Sequence, residues 1–138
     1  MISWTRRNDC IERMNFALRE HRKLDFIWGQ SDCGIIFSDV AWAMTDVDPM
    51  KIFGRWNSEH GALRALVSTG FVSVKDYLDA ELEIIPVSEA RRGDVGYPED
   101  VTSLMCPAII TGAEAVSRNP DGWITVPRSQ LVTAYRVG

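Results

Sequence analysis

The chain has 138 residues, with 15 Lys+Arg against 19 Asp+Glu, a net charge of −4 at neutral pH. That length suits one domain spanning residues 1–138 around a single core. A hydrophobic content of 46% with 25% charged residues excludes wholesale disorder, and the negative balance argues against a nucleic-acid partner. Cys10, Cys33 and Cys106 form no CxxC pair, so neither a disulfide framework nor a structural metal site is expected, and no cofactor is implied. No apolar run follows Arg6-Arg7 as a secretory signal would require, and no stretch approaches the roughly 18 apolar residues of a membrane span.

Charge is unevenly spread. Residues 1–24 carry Arg6, Arg7, Arg13, Arg19, Arg22 and Lys23 against three acids, while residues 76–100 carry eight acids against Arg91 and Arg92. Such polarity suits either docking between subunits or solvated helix faces.

In chain order, Cys10, Met14, Ala17, Leu18 and His21 trace one stripe of an amphipathic helix. A loop over 25–31 leads to a second helix with Cys33, Ile36, Phe37, Val40, Ala41 and Met44 inward, Ser31 or Asp32 capping it, and Asp46-Val-Asp-Pro49 stopping it. Asn57 or Ser58 caps a third helix, with Leu63, Leu66 and Val67 inward and Gly70 at its end. Ser73-Val-Lys-Asp76 forms a capping box for a fourth, with Val74, Tyr77, Leu78 and Leu82 on one face. The second half reads as strands: an edge at 84–87, where Pro86 cannot donate to a ladder, then 94–97, 104–111 and 114–118. The turn Asn119-Pro-Asp-Gly122 returns the chain through 123–126, and 133–137 closes it. Helices followed by antiparallel strands define an α+β domain.

The segment that carries chemistry is Trp28-Gly29-Gln-Ser-Asp32-Cys33, opening directly onto the second helix. It delivers a cysteine to a helix's first turn, where unpaired N–H groups and the helix dipole favour thiolate over thiol. Gly29 permits the tight turn and Asp32 caps. The alternative is that Cys33 is a small buried residue opening an apolar stripe. Among five tryptophans, Trp28 and Trp42 fit core or turn packing, and Trp4 and Trp56 fit a protein interface. Asp46 and Asp48 flank a helix stop and lack further ligands for a metal.

Trp28-Gly29-x-x-Asp32-Cys33 before an apolar helix resembles the nucleophile motif of NlpC/P60-like cysteine peptidases, papain-like α+β enzymes that cut peptide bonds in bacterial cell walls. Arg92-Gly93-Asp94 resembles the Gly-Asp that opens a strand in the same superfamily. A closer resemblance is to a branch of unknown function in tailed bacteriophages and prophages. It rests on Trp4 to Arg7, Trp28 to Cys33, Ala43 to Pro49, Gly54-Arg55-Trp56, Arg92 to Asp94 and Ala134 to Val137, in that order. The resemblance implies a tail-tip (baseplate) component residing in the virion after synthesis in the host cytoplasm. Its implied partners are hub and baseplate proteins, and peptidoglycan if the site is active.

One position departs from the superfamily. Its general-base histidine opens a strand of the form His-Val-Gly-Ile-x-x-Gly, and the matching stretch here is Cys106-Pro-Ala-Ile-Ile-Thr-Gly112. The candidate catalytic set is therefore Cys33 as nucleophile, Asp32 as the cap beside it, and Cys106 in the histidine slot. A thiol is no substitute for imidazole as a proton acceptor at neutral pH. His21 and His60 remain as alternative bases. The position that would orient the histidine falls at Ser117 or Arg118, and an arginine has the wrong charge for that role. The resemblance thus implies a degenerate peptidase site with an assembly or adaptor role, the alternative being a working cell-wall endopeptidase or amidase.

Overall fold

A computed structural model describes residues 4–98 and 105–138. The helical spacing of the first half gives α1 (Cys10–Arg22), α2 (Cys33–Thr45), α3 (Met50–Phe53), α4 (Glu59–Ser68) and α5 (Val74–Glu81). The second half gives β1 (Glu83–Ile85), β2 (Val95–Tyr97), β3 (Ala108–Ile110), β4 (Glu114–Asn119), β5 (Gly122–Pro127) and β6 (Thr133–Arg136). The domain is α+β, helices first and an antiparallel sheet second, in the order β1-β6-β2-β3-β4-β5. β1 is an edge, as Pro86 requires. The last strand returns to the interior of the sheet, where Tyr135 pairs with Ile84 on one side and Val95 on the other. Leu104, at the start of the third expected strand, lies outside the described residues, as do Glu99 and Asp100 of the acidic stretch.

Strand alternation sorts side chains onto two faces. Val95, Tyr97, Ile109, Val116, Tyr135 and Val137 face the helices and join Met14, Leu18, Ile36, Phe37, Val40 and Met44 in the main core. On the far face Ile85, Ala108, Ile110, Ala115, Leu131 and Ala134 form a smaller cluster with Ala90, Val87 and Val126. A strand covered on both faces reads as a continuous apolar run, which is why Ala108–Ile110 lacks alternation.

α2 is the central helix. Ile35, Ile36, Phe37, Ser38, Val40, Ala41, Met44 and Thr45 are buried, and it packs against α1 and β4. Its end falls earlier than Pro49 demands: Asp46 takes a left-handed conformation (φ 62°) and donates its N–H to Trp42 O, and Pro49 instead precedes α3. Trp42 is 55% exposed at the groove that α2 shares with Phe16 and Ala17 of α1, so it is not a core residue. On α4 only Ala62 and Leu66 are buried; Leu63 and Val67 point outward, because this short helix contributes one narrow i, i+4 stripe. α5 carries the expected cap, Ser73 Oγ accepting from Asp76 N at 3.0 Å, and Asp76 Oδ2 reaches back to Val72 N at 3.3 Å.

The N-terminal charge is largely used within the chain. Arg7 pairs with Asp46, Arg13 with Asp9, and Lys23 with Glu20, while Arg22 lies 5.0 Å over the Trp123 ring. Arg6 makes the deepest connection. Its guanidinium donates to Val137 O (2.8 Å), Arg92 O (2.7 Å) and Asp94 Oδ1 (2.8 Å). Asp94, fully buried, also accepts from Val137 N at 2.9 Å and Arg91 N at 2.8 Å. Gly93 (φ 91°) sits so close to Met44 and Arg6 that a Cβ would collide with the Met44 methyl. One ion pair thus ties the N-terminal segment, the turn before β2 and the C-terminal strand together.

Removing one partner of a buried pair leaves an uncompensated charge and unsatisfied donors. Asp94→Ala is expected to lose about 3–5 kcal/mol, whereas the exposed Arg13→Ala should lose less than about 1 kcal/mol. Urea denaturation of both variants beside the wild type measures the difference.

Candidate functional site

The chain reaches Cys33 through a closed turn. Ser31 N and Gln30 N both donate to Ile27 O, at 2.9 and 3.0 Å, which folds Trp28–Gln30 back over the start of α2. Gly29 needs its left-handed conformation (φ 83°) and its missing side chain: a Cβ there would collide with the Trp56 carbonyl. The turn is organised by Asp32, 1% exposed. Its Oδ1 accepts from Ile35 N at 2.8 Å, capping α2, and its Oδ2 accepts from Gly29 N at 2.8 Å and from the Trp56 indole N–H at 2.7 Å. Trp56 is therefore a support of the site. Sequence spacing did not reveal this, although Gly54-Arg55-Trp56 stands among the motif pieces.

Cys33 is the first residue of α2, half-buried, and Cys106 is buried two residues before β3. The two thiols meet. The Cys106 thiol and backbone N–H both donate to the Cys33 sulfur, joined by the Gly34 N–H of the helix terminus. These donors lower the Cys33 pKa below the usual cysteine value, Cys106 being the largest cause, against burial and the nearby Asp32 charge, which raise it. The same contact, together with burial, pushes the Cys106 thiol well up. Cys106 thus remains protonated beside a Cys33 that loses its proton more readily than an ordinary cysteine. The helix terminus contributes, but less than the facing thiol.

Two clefts open on this pair. On the helix side, Trp28, Phe37, Phe53, Trp56, Leu66 and Tyr77 line an apolar cavity of about 50 Å³ together with both cysteines. On the sheet side, Met105, Ala115, Ser117, Arg118, Ile124 and Val126 surround a larger cleft of about 230 Å³. Neither lining includes a histidine. His60 is exposed near the start of α4. His21 is buried, and both ring nitrogens are engaged: Nδ1 lies 2.9 Å from Ser31 Oγ and Nε2 2.7 Å from Asp39 Oδ2.

Ser31, His21 and Asp39 together have the order of a Ser–His–Asp relay. They cannot perform its chemistry, because Ser31 is fully buried and its Oγ already accepts from Arg118 Nη1 at 2.7 Å. Arg118 also donates to His21 O and Leu24 O and lies 5.0 Å over the Trp123 ring. The network locks the end of α1 and the turn before Cys33 onto β4. Its weak trace in the sequence is His21, a polar residue within the apolar stripe of α1. Asp46 and Asp48 serve backbone and arginine: Asp46 pairs with Arg7, and Asp48 Oδ1 accepts from Met50 N at 3.0 Å. Among the described residues no group of three or more His, Cys, Asp or Glu is placed to hold a metal ion.

Fold and site define an α+β domain with a thiol pair at the N-terminus of its central helix. The chain belongs to the domain-of-unknown-function family DUF6950, which it matches over residues 5–137. No curated protein matches it.

The alkylation rate of Cys33 against pH should show a midpoint below that of ordinary cysteine, since the folded-state pKa is lowered. Cys106→Ala removes the principal donor and should move that midpoint upward, while His21→Gln should leave it unchanged. Trp56→Phe deletes a hydrogen bond to a buried carboxylate, and a loss of about 1.5–3 kcal/mol is expected in thermal or urea unfolding.

Proposed function

We propose that this chain is a tail-tip (baseplate) component of a tailed bacteriophage or prophage, built on an NlpC/P60-like fold whose peptidase site is degenerate. It acts as an assembly or adaptor subunit against hub and baseplate proteins, within the virion after synthesis in the host cytoplasm. The supporting resemblance runs from Trp4 to Val137 in motif order, and the α+β arrangement with Cys33 at the head of the central helix is compatible with such a core.

The observation that carries the degenerate reading is Cys106 beside Cys33. Peptide cleavage by a thiol requires a group that takes the thiol proton, gives it to the leaving amine and then takes a proton from the hydrolytic water. Cys106 presents a proton to Cys33 and, with its pKa raised, stays protonated. It is poorly suited to activating water. Neither histidine lines either cleft.

A second reading, an active peptidoglycan endopeptidase or amidase with Cys33 as nucleophile, draws support from the lowered Cys33 pKa. The two readings separate on purified peptidoglycan treated with wild type or Cys33→Ala. The expected result is no release of soluble fragments by wild type above the Cys33→Ala level. Cys33-dependent release would replace the degenerate reading with the enzymatic one. In particles produced by the phage or prophage that encodes the chain, Cys33→Ala should assemble tails and deletion of the chain should not. Normal tails after deletion would overturn the assembly role.

A further inference from the structure

Cys33, at the head of α2, and Cys106, on the approach to β3, face each other across the clefts that both of them line, within hydrogen-bonding reach. A peptidase site has no use for the second thiol. A pair in direct contact, one member reachable and the other buried, has the arrangement of a redox couple: an attacking cysteine and a resolving one. Access favours a small oxidant. The helix-side cavity leaves about 50 Å³ for the centres of water-sized molecules, and one water needs about 10–15 Å³ on that measure, so it admits a molecule of a few heavy atoms. Both clefts are lined chiefly by apolar side chains, so an uncharged molecule pays a smaller desolvation cost on entering than an ion does. Cys10, the remaining cysteine, lies on α1 and lines neither cleft.

We infer that Cys33 and Cys106 form a reversible dithiol–disulfide pair that reduces a small hydroperoxide, Cys33 attacking and Cys106 resolving. In the first step the Cys33 thiolate attacks the terminal peroxide oxygen. An S–O bond forms, the O–O bond breaks, and the departing alkoxide or hydroxide takes a proton from water. In the second, the Cys106 sulfur attacks Cys33 sulfenic acid. The S–S bond forms, the S–O bond breaks, and hydroxide leaves as water with the proton released by Cys106. Two electrons pass from the two sulfurs to the peroxide, and an external dithiol restores the pair by exchange. The donors around Cys33 suit the first step, because they stabilise the nucleophile at the helix terminus. Contact with Cys106 suits the second, because resolution competes with further oxidation of the sulfenic acid. This chemistry is independent of the assembly role and of any peptidase activity.

The experiment treats the purified full chain with hydrogen peroxide, quenches with an alkylating agent, and maps the peptides by mass spectrometry. The expected product is a 33–106 disulfide, two hydrogens lighter, with Cys10 still alkylated, and with both thiols recovered on adding dithiothreitol. Cys106→Ser should stall as Cys33 sulfenic acid, trapped by a dimedone adduct, and Cys33→Ser should leave Cys106 unoxidised at the same peroxide dose. Circular dichroism confirms that both variants are folded, and each variant is compared with wild type at equal peroxide exposure. The inference is overturned if folded wild type keeps both thiols alkylatable, or if Cys33 passes to sulfinic acid without a disulfide. Neither result bears on peptidoglycan digestion or tail assembly, so its failure is separable from theirs.

Discussion

The site hangs on a single buried carboxylate. Asp32 satisfies three N–H groups, from Gly29, Ile35 and the Trp56 indole, and these come from the turn before α2, from α2 itself and from the segment after α3. A carboxylate that is 1% exposed is tolerable only when its oxygens are so occupied. That requirement fixes where α2 begins, and with it the position of Cys33. It also draws Trp56 over Gly34 as part of the cavity wall. A residue that the sequence presents as a helix cap is, in three dimensions, the junction of three segments.

A second buried carboxylate does the same for the rest of the fold. Asp94 gathers Arg6, Arg91 and Val137, while Arg6 also reaches Arg92 and Val137. The motif pieces at the two chain ends and before β2, far apart in sequence, are parts of one clamp. Their joint presence therefore reflects architecture at least as much as chemistry. The same clamp holds β6 against β2 in the interior of the sheet.

The chemistry of the cleft follows from which group donates. Imidazole beside a cysteine accepts a proton and returns it; a thiol with a raised pKa only presents one. Cys106 therefore turns Cys33 toward the thiolate without supplying an acid–base partner. An imidazole–carboxylate pair does exist close by, in His21 and Asp39, but its serine is sealed beneath Arg118 and faces no cleft. The order of functional groups resembles a relay; burial makes it a lock.

Local rules made much of this legible. Apolar spacing placed α1, α2 and α5, the caps at Asp32, Ser58 and Ser73 marked helix starts, and Pro86 and the 119–122 turn marked a sheet edge and a hairpin. Each of these depends on residues within a few positions of one another. The errors arose where a neighbour distant in sequence decides: Leu63, Val67 and Trp42 stay exposed because the core takes up other positions of their helices. The Trp56 partner of Asp32, the Arg6 partner of Asp94 and the Ser31 and Asp39 partners of His21 were likewise invisible, since hydrogen bonds spanning 10 to 88 positions leave no spacing signature. The sequence by itself determined the order of elements and the delivery of Cys33 to a helix terminus, because backbone propensity and capping are local. Only the tertiary structure decided that Cys106 meets it as a donor and that both histidines stay out of the cleft, because those outcomes depend on how the sheet folds back onto α2.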